Sequence, residues 1–199
     1  LDAFMQEVTG QDIHFAAADV GDYEACGALV QGIEAKHGSL DILVNNAGIT
    51  RDATLRKMQR AQWEEVLDVN LGSAFNLCGH AITGMQARGF GRVVNISSVS
   101  GQTGNFGQTN YAAAKAGLHG FTMSLAREVA TKGITVNSVS PGYIRTAMTG
   151  AMPLEIQEKI TAAIPAGRMG QPDDIARAVV FLSDDAAGYI TGANLPVNG

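Results

Sequence analysis

Positive charge is scarce in this 199-residue chain, which carries 14 Lys and Arg against 19 Asp and Glu and a formal net charge of −5. Nucleic-acid binding needs clustered cations facing phosphates, and no such cluster is present, so that class of partner is excluded. Cysteine is almost lacking as well: Cys26 and Cys78 match no metal or redox spacing and read as packing residues within helical runs. The four histidines, His14, His37, His80 and His119, are scattered, so no metal site is expected. No stretch approaches the ~18 apolar residues of a membrane helix, and no charged-then-apolar leader is visible, which makes the cytoplasm the expected location. One further absence is specific: the phosphate-binding pattern G-x-G-x-x-G occurs nowhere. Gly101, Gly104 and Gly107 recur every third residue, but they follow a strand-like run that ends at Ser98 and read as a flexible turn.

What is present suits a core-forming enzyme domain. At 46% hydrophobic, the chain buries a substantial core without disulfides. β-Branched runs predict strands at Ile13–Asp19, Asp41–Asn45, Arg92–Ile96, Ile134–Ser140 and Asn194–Val197. Helical periodicity falls between them, at Asp22–His37, Gln62–Ala87, Thr109–Thr131 and Pro172–Leu182. Strands alternating with helices imply βαβ units and an α/β, doubly wound parallel sheet of Rossmann type. No repeat, linker or low-complexity segment marks a second domain, and 1–199 reads as one unit.

The chemistry concentrates between Ser98 and Lys115. Tyr111 lies thirteen positions after Ser98 and four before Lys115. A phenol with a pKa of about 10 is a poor acid or base at neutral pH until a cation stabilises its phenolate, and residues four apart on a helix share one face. Tyr111 and Lys115 therefore point together, with Lys115 as the cation. Ser98 closes Arg92-Val-Val-Asn-Ile-Ser-Ser98, and ligands of open α/β sheets bind at the carboxyl ends of strands. A hydroxyl there can polarise a carbonyl.

Three more motifs accompany these residues: Leu40-Asp-Ile-Leu-Val-Asn-Asn-Ala-Gly48, Asp68-Val-Asn-Leu71 and Ile134-Thr-Val-Asn-Ser-Val-Ser-Pro-Gly142. In this order they resemble the short-chain dehydrogenase/reductase family, over essentially the whole chain. Within it, Asn45-Asn-Ala-Gly-Ile-Thr-Arg-Asp52, Gly107-Gln-Thr-Asn-Tyr111, Leu118-His-Gly-Phe-Thr122 and Ala163-Ile-Pro-Ala-Gly-Arg168 are most similar to the acetoacetyl-CoA reductases and 3-oxoacyl-carrier-protein reductases.

The resemblance implies a role for each matching residue. Tyr111 protonates the carbonyl oxygen, Lys115 lowers its pKa and holds the nicotinamide ribose, Ser98 orients the carbonyl, and Asn70 holds a water that relays protons to Lys115. Cofactor contacts implied are Asp19, Val20, Asn46, Ala47, Gly48, Ile96, Tyr111, Lys115, Pro141, Gly142, Ile144 and Thr146. For Asp19 and Asn46 a capping role is an equal expectation. Substrate contacts implied are Ser98, Phe106, Gln108, Tyr111 and Tyr143, under a lid at Ala147–Arg168 that includes Met148 and Met152. Arg88, Arg92 and Lys132 are the cations available to an acidic carrier protein, whereas Phe106 and Thr109 favour coenzyme A.

The implied activity is NADPH-dependent reduction of a short 3-oxoacyl thioester, acetoacetyl-CoA foremost, with NADH and a carrier-protein thioester as alternatives. A homotetramer, joined through Gln62–Ala87, Thr109–Thr131 and the last strand, is implied too. Aligned this way, Ile13–Asp19 matches the third strand of an order 3-2-1-4-5-6-7, so the first two strands and the glycine-rich loop, about 40 residues, are expected before Leu1. A few residues are expected beyond Gly199. The competing expectation is a non-catalytic fragment or oligomerisation scaffold that cannot bind cofactor.

Overall fold

A computed structural model describes residue 10 and residues 12–150 and 152–199, the side chains of 147 and 148 excepted. The chain folds as a parallel sheet flanked by helices. Helix α1 (Tyr23–His37) leads to strand β1 (Ile42–Asn45), then α2 (Arg60–Leu67) and α3 (Ser73–Arg88), then β2 (Gly91–Ile96). A short α4 (Ser100–Thr103) and the long α5 (Thr109–Val129) precede β3 (Ile134–Pro141). Three helices, α6 (Ala147–Gly150), α7 (Leu154–Ala163) and α8 (Pro172–Ser183), connect β3 to β4 (Asn194–Val197). All neighbouring strands are parallel in the order β1-β2-β3-β4, with Asn45 opposite Asn95, Ile96 opposite Val139 and Pro141 opposite Val197.

Alternation along β2 divides the core. Val93 packs with Val30, Leu43, Ala81, Met85 and Val136 on the face covered by α1, α3 and α5, while Val94 joins Ile96, Val139 and Leu182 under α8. With both faces covered, every residue of β2 is buried, as the near-continuous apolar composition of a central parallel strand requires. β1 differs. It alternates exposed and buried, leaving Ile42 46% and Val44 39% accessible.

The predicted strand Ile13–Asp19 is a correction. Residues 12–18 are described without helix or strand, and they form no strand of the described sheet. A strand exists only as part of a ladder, and no neighbour among the described residues supplies one. The predicted helix Gln62–Ala87 is also modified: a π-turn over Asp68–Gly72 separates α2 from α3. The helix expected at Asp22–His37 starts one residue later because Asp22 is its N-cap, accepting the Ala25 amide at 3.0 Å. The lid region contains α6 and α7; the side chain of Met148 lies outside the described residues.

A buried cation corrects the expected carrier-protein contacts. Arg92, 4% accessible, stacks over the Phe90 ring and donates to the carbonyls of Gly91, Gly133, Asp184 and Asp185. Arg88 pairs with Glu34 and Asp41, and Lys132 is exposed just before β3. All three lie by the amino-terminal ends of strands, and Arg92 in particular commits four of its five N–H donors within the chain.

Candidate active site

The carboxyl ends of β1, β2 and β3 meet the start of α5 in a cleft of about 270 Å³. Asn46, Gly48, Ile49 and Thr50 line it from the loop after β1, Ile96, Ser97 and Ser98 from β2, Tyr111 and Lys115 from α5, and Pro141 and Gly142 from β3. Seven expected cofactor residues thus share one cleft: Asn46, Gly48, Ile96, Tyr111, Lys115, Pro141 and Gly142.

Helix α5 presents Tyr111 and Lys115 on one face, with the Lys115 Nζ 5.7 Å from the centre of the tyrosine ring. Lys115 is 3% accessible and donates to the Ile96 carbonyl at 2.7 Å, so its ammonium sits against the end of β2 without a carboxylate partner. Burial pulls its pKa down to about 8. Ser98 lines the same cleft as Tyr111. Burial raises the tyrosine pKa above the ordinary value, against the lowering by Ser98 and with a further rise from Asp52. Burial is the largest of these influences, and it holds the phenol in its protonated form. Ser98 is itself fixed, its Oγ accepting the Ser100 amide at 3.1 Å at the start of α4.

Asn70 stands in the π-turn, where its side chain clamps the loop after β1. Its Oδ1 accepts the Ile49 amide at 3.2 Å, and its Nδ2 donates to the carbonyls of Ile49 at 2.9 Å and Val66 at 2.8 Å. A π-turn suits this task because it points an extra residue out of the regular helical ladder. Gly48 is required beside it: a Cβ there would lie 2.7 Å from the Asn70 Oδ1. Gly101 is comparable, since a Cβ would meet the Lys115 main-chain carbon at 2.7 Å. That glycine holds α4 flush against α5, so the flexible turn expected around it is corrected to a close helix contact.

The structure separates other expected residues from this group. Asp19 accepts the amides of Gly21 and Asp22 ahead of α1, and the Val20 carbonyl accepts the Asn76 amide at 3.0 Å. Ala47 is exposed on the same loop as Gly48. Ile144 bridges to Gly170, and Thr146 is engaged with Thr149 at the start of α6. Gln108 donates to Asp52 at 3.0 Å and accepts from Asn105 at 3.0 Å, while Phe106 is 90% accessible. Tyr143 lines a neighbouring groove of about 460 Å³ between α4 and α7, which meets the cleft at Gly142.

Ile49, Thr50, Ser97 and Asn110 escape the sequence reading. Asn110 is fully buried, donating to the carbonyls of Arg51 and Gln62 and accepting the Tyr111 amide, so it seats the start of α5 on the loop after β1. Its place beside Tyr111 is the one available signal.

The cleft fits the nicotinamide and ribose of a dinucleotide. Gly48 and Gly142 leave no room for a Cβ and so keep two walls of bare backbone, Ile96 and Pro141 supply apolar surface for a ring, and Asn46, Tyr111 and Lys115 supply polar contacts. A parallel α/β sheet bearing a hydroxyl, a phenol and a buried lysine at its carboxyl edge defines a class, the nicotinamide-dependent α/β oxidoreductases.

Comparison with known proteins narrows the class. A family model described as enoyl-(acyl carrier protein) reductase matches residues 2–199. The acetoacetyl-CoA reductase of Allochromatium vinosum is 56% identical over 190 residues, covering 96% of this chain and 77% of that protein. The acetoacetyl-CoA reductase of Cupriavidus necator is 51% identical over 194 residues, with 98% and 79% covered. The 3-oxoacyl-(acyl-carrier-protein) reductase FabG of Haemophilus influenzae is 51% identical over 181 residues, with 91% and 75% covered. The chain belongs to the short-chain dehydrogenase/reductase family.

Proposed function

We propose that this protein reduces a short 3-oxoacyl thioester, acetoacetyl-CoA foremost, to the 3-hydroxyacyl thioester, with NADPH as the preferred reductant. The observation that carries this reading is the convergence of Ser98, Tyr111 and Lys115 on one cleft at the carboxyl ends of the strands. The named relatives, acetoacetyl-CoA and 3-oxoacyl-(acyl-carrier-protein) reductases, supply the substrate class.

When bound, the reduced nicotinamide supplies hydride to the carbonyl carbon. Tyr111 gives its proton to the carbonyl oxygen as charge develops there, the phenol being in its protonated form at neutral pH. Ser98 donates a hydrogen bond to the same oxygen and orients it. Lys115, held by the Ile96 carbonyl, contacts the ribose and sustains a positive field beneath Tyr111. Asn70 acts through its clamp on Ile49 and Val66, which takes both of its amide protons and leaves one Oδ1 lone pair for a relay water. Asn46, Ala47, Gly48, Ile96, Pro141 and Gly142 border the cofactor, with Asp19, Val20, Ile144 and Thr146 along its extremities. The thioester continues from the cleft past Gly142 into the groove under Tyr143, with Phe106 and Gln108 at its rim. Coenzyme A is favoured over a carrier protein because Arg88 and Arg92 are engaged within the chain.

A homotetramer is part of this reading. An apolar groove of about 340 Å³ along α3 and α5 leaves Phe75 59% accessible, and Val180 and Phe181 are bare on α8. These two apolar surfaces, on opposite faces of the sheet, suit burial against second copies. No helix among the described residues is long and apolar enough to cross a membrane. A cytoplasmic setting agrees with the free, buried Cys26 and Cys78.

Turnover of acetoacetyl-CoA and of the matching acyl-carrier-protein thioester, each with NADPH and NADH, tests the proposal. Higher kcat/KM for acetoacetyl-CoA with NADPH is expected. No turnover of either thioester would overturn it.

A further inference from the structure

Below Ser98, three polar side chains meet without a part in the proton transfer. His119 lies on α5 one turn beyond Lys115, and its Nε2 is 2.8 Å from the Ser97 Oγ and 3.2 Å from the Ser140 Oγ. Ser97 follows the last residue of β2 and stands beside Ser98, and Ser140 precedes Pro141 and Gly142 at the end of β3. Both serines are buried, Ser97 at 2% and Ser140 at 0%.

Hydrogen-bond accounting fixes the direction of these contacts. A hydroxyl has one proton to give. The Lys115 carbonyl can only accept, and it lies 2.8 Å from the Ser97 Oγ, so the Ser97 proton goes there. The Ser140 proton goes to the Asn194 Oδ1 at 2.8 Å, which also accepts from Ser138 at 2.9 Å. Both serines therefore turn lone pairs towards His119, and its Nε2 must carry the hydrogen.

We infer that His119 is a positioning residue of the active site, its Nε2–H shared between Ser97 and Ser140 so that the ends of β2 and β3 are locked to α5. The lock acts on both sides of the cleft. On one side it holds Ser97, and hence Ser98, against the helix that carries Tyr111 and Lys115. On the other it holds the strand end leading to Pro141 and Gly142. The Lys115 residue is grasped twice by the same stretch of β2, through its Nζ on the Ile96 carbonyl and its own carbonyl on Ser97. Burial lowers the His119 pKa, which favours the neutral ring near neutral pH.

The inference rests on the reductase reading, and two measurements separate the two. In the His119→Leu variant, kcat for acetoacetyl-CoA reduction should fall about tenfold with both KM values within about twofold, the signature of a lost transition-state alignment. His119→Gln, whose amide can donate to both serines, should keep kcat within about threefold of the parent. An unchanged kcat in folded His119→Leu, or a rise in KM alone, overturns the role. Should His119→Leu fail to fold, the Gln variant decides: near-parental turnover supports the lock, and a folded protein with tenfold lower kcat overturns it. Ring nitrogen NMR of the unmodified protein should show His119 Nε2 protonated and Nδ1 bare at neutral pH. The reverse tautomer overturns the hydrogen-bond assignment whatever the substrate, whereas inactivity on every 3-oxoacyl thioester with the expected tautomer sinks only the reductase reading.

Discussion

The middle of the sheet and its β1 edge are held in different ways. At β2 and β3 the strands are covered on both faces, and their carboxyl ends are tied to α5 by Lys115, Ser97 and His119. At β1 one face stays open: Ile42 and Val44 are accessible, and residues 12–18 add no strand beside them. The contrast separates two tasks of the proposed enzyme. Proton transfer needs groups fixed to within a fraction of an ångström, and the residues that would perform it sit where packing is densest. The residues expected to meet the adenine end, Asp19 and Val20, sit on the loosely covered side, in turn and capping roles.

Tyr111→Phe probes the dense side most severely. Removing the one hydroxyl should lower kcat by at least about a thousandfold while leaving the melting temperature nearly unchanged, as judged by steady-state assay and calorimetry. Retained turnover would remove Tyr111 from the mechanism and with it the functional meaning of the contrast.

Lys115→Met comes next, and its two effects have opposite signs. Turnover should fall about a hundredfold, because the cation beneath Tyr111 is gone. Stability without cofactor should rise by about 1–2 kcal/mol in chemical denaturation at neutral pH, because burial disfavours the charged lysine. The parent's stability carries the same signature. With a folded pKa of about 8, below the unfolded value, the unfolded chain binds more protons between pH 8 and the ordinary lysine range, so this group's contribution makes stability rise with pH across that window. In the Met variant that rise should vanish.

Paired alanine substitutions compare the two regions by packing alone. Val93→Ala, 1% accessible, should cost about 2–3 kcal/mol, and Val44→Ala, 39% accessible, less than about 1 kcal/mol. Equal costs in urea titrations would mean that the open face of β1 is covered in solution. The gentlest probe is titration of these 199 residues with NADPH: weak binding is expected, and tight binding would show that the nicotinamide side alone grips the cofactor.

Legibility in the sequence depends on the range of the interactions. β2, β3 and β4 are readable almost to the residue, because β-branched runs between glycine and helical signals are local features. Tyr111 and Lys115 are readable for the same reason, one helical turn apart. Ile13–Asp19 misleads because its composition suits a strand while a ladder needs a distant neighbour. Arg92 passes for a surface cation because the carbonyls that consume it come from residues 133, 184 and 185. Gln108 and Asp52 are bonded across 56 positions of sequence, which no local pattern reveals.

The π-turn at Asp68–Gly72 also sets the rotational phase of α3. One extra residue in a helical turn advances every later side chain by about 100° around the axis. α2 therefore packs on α5, while α3, nearly collinear in sequence, turns Cys78, Ala81 and Met85 towards the sheet and packs on α1. Deleting a single residue from 68–72 would rotate that whole apolar stripe away from the core and release the clamp on Ile49 in the same step. The segment thus couples the fold's angular register to the shape of the cleft, and its length is constrained as tightly as its residue types.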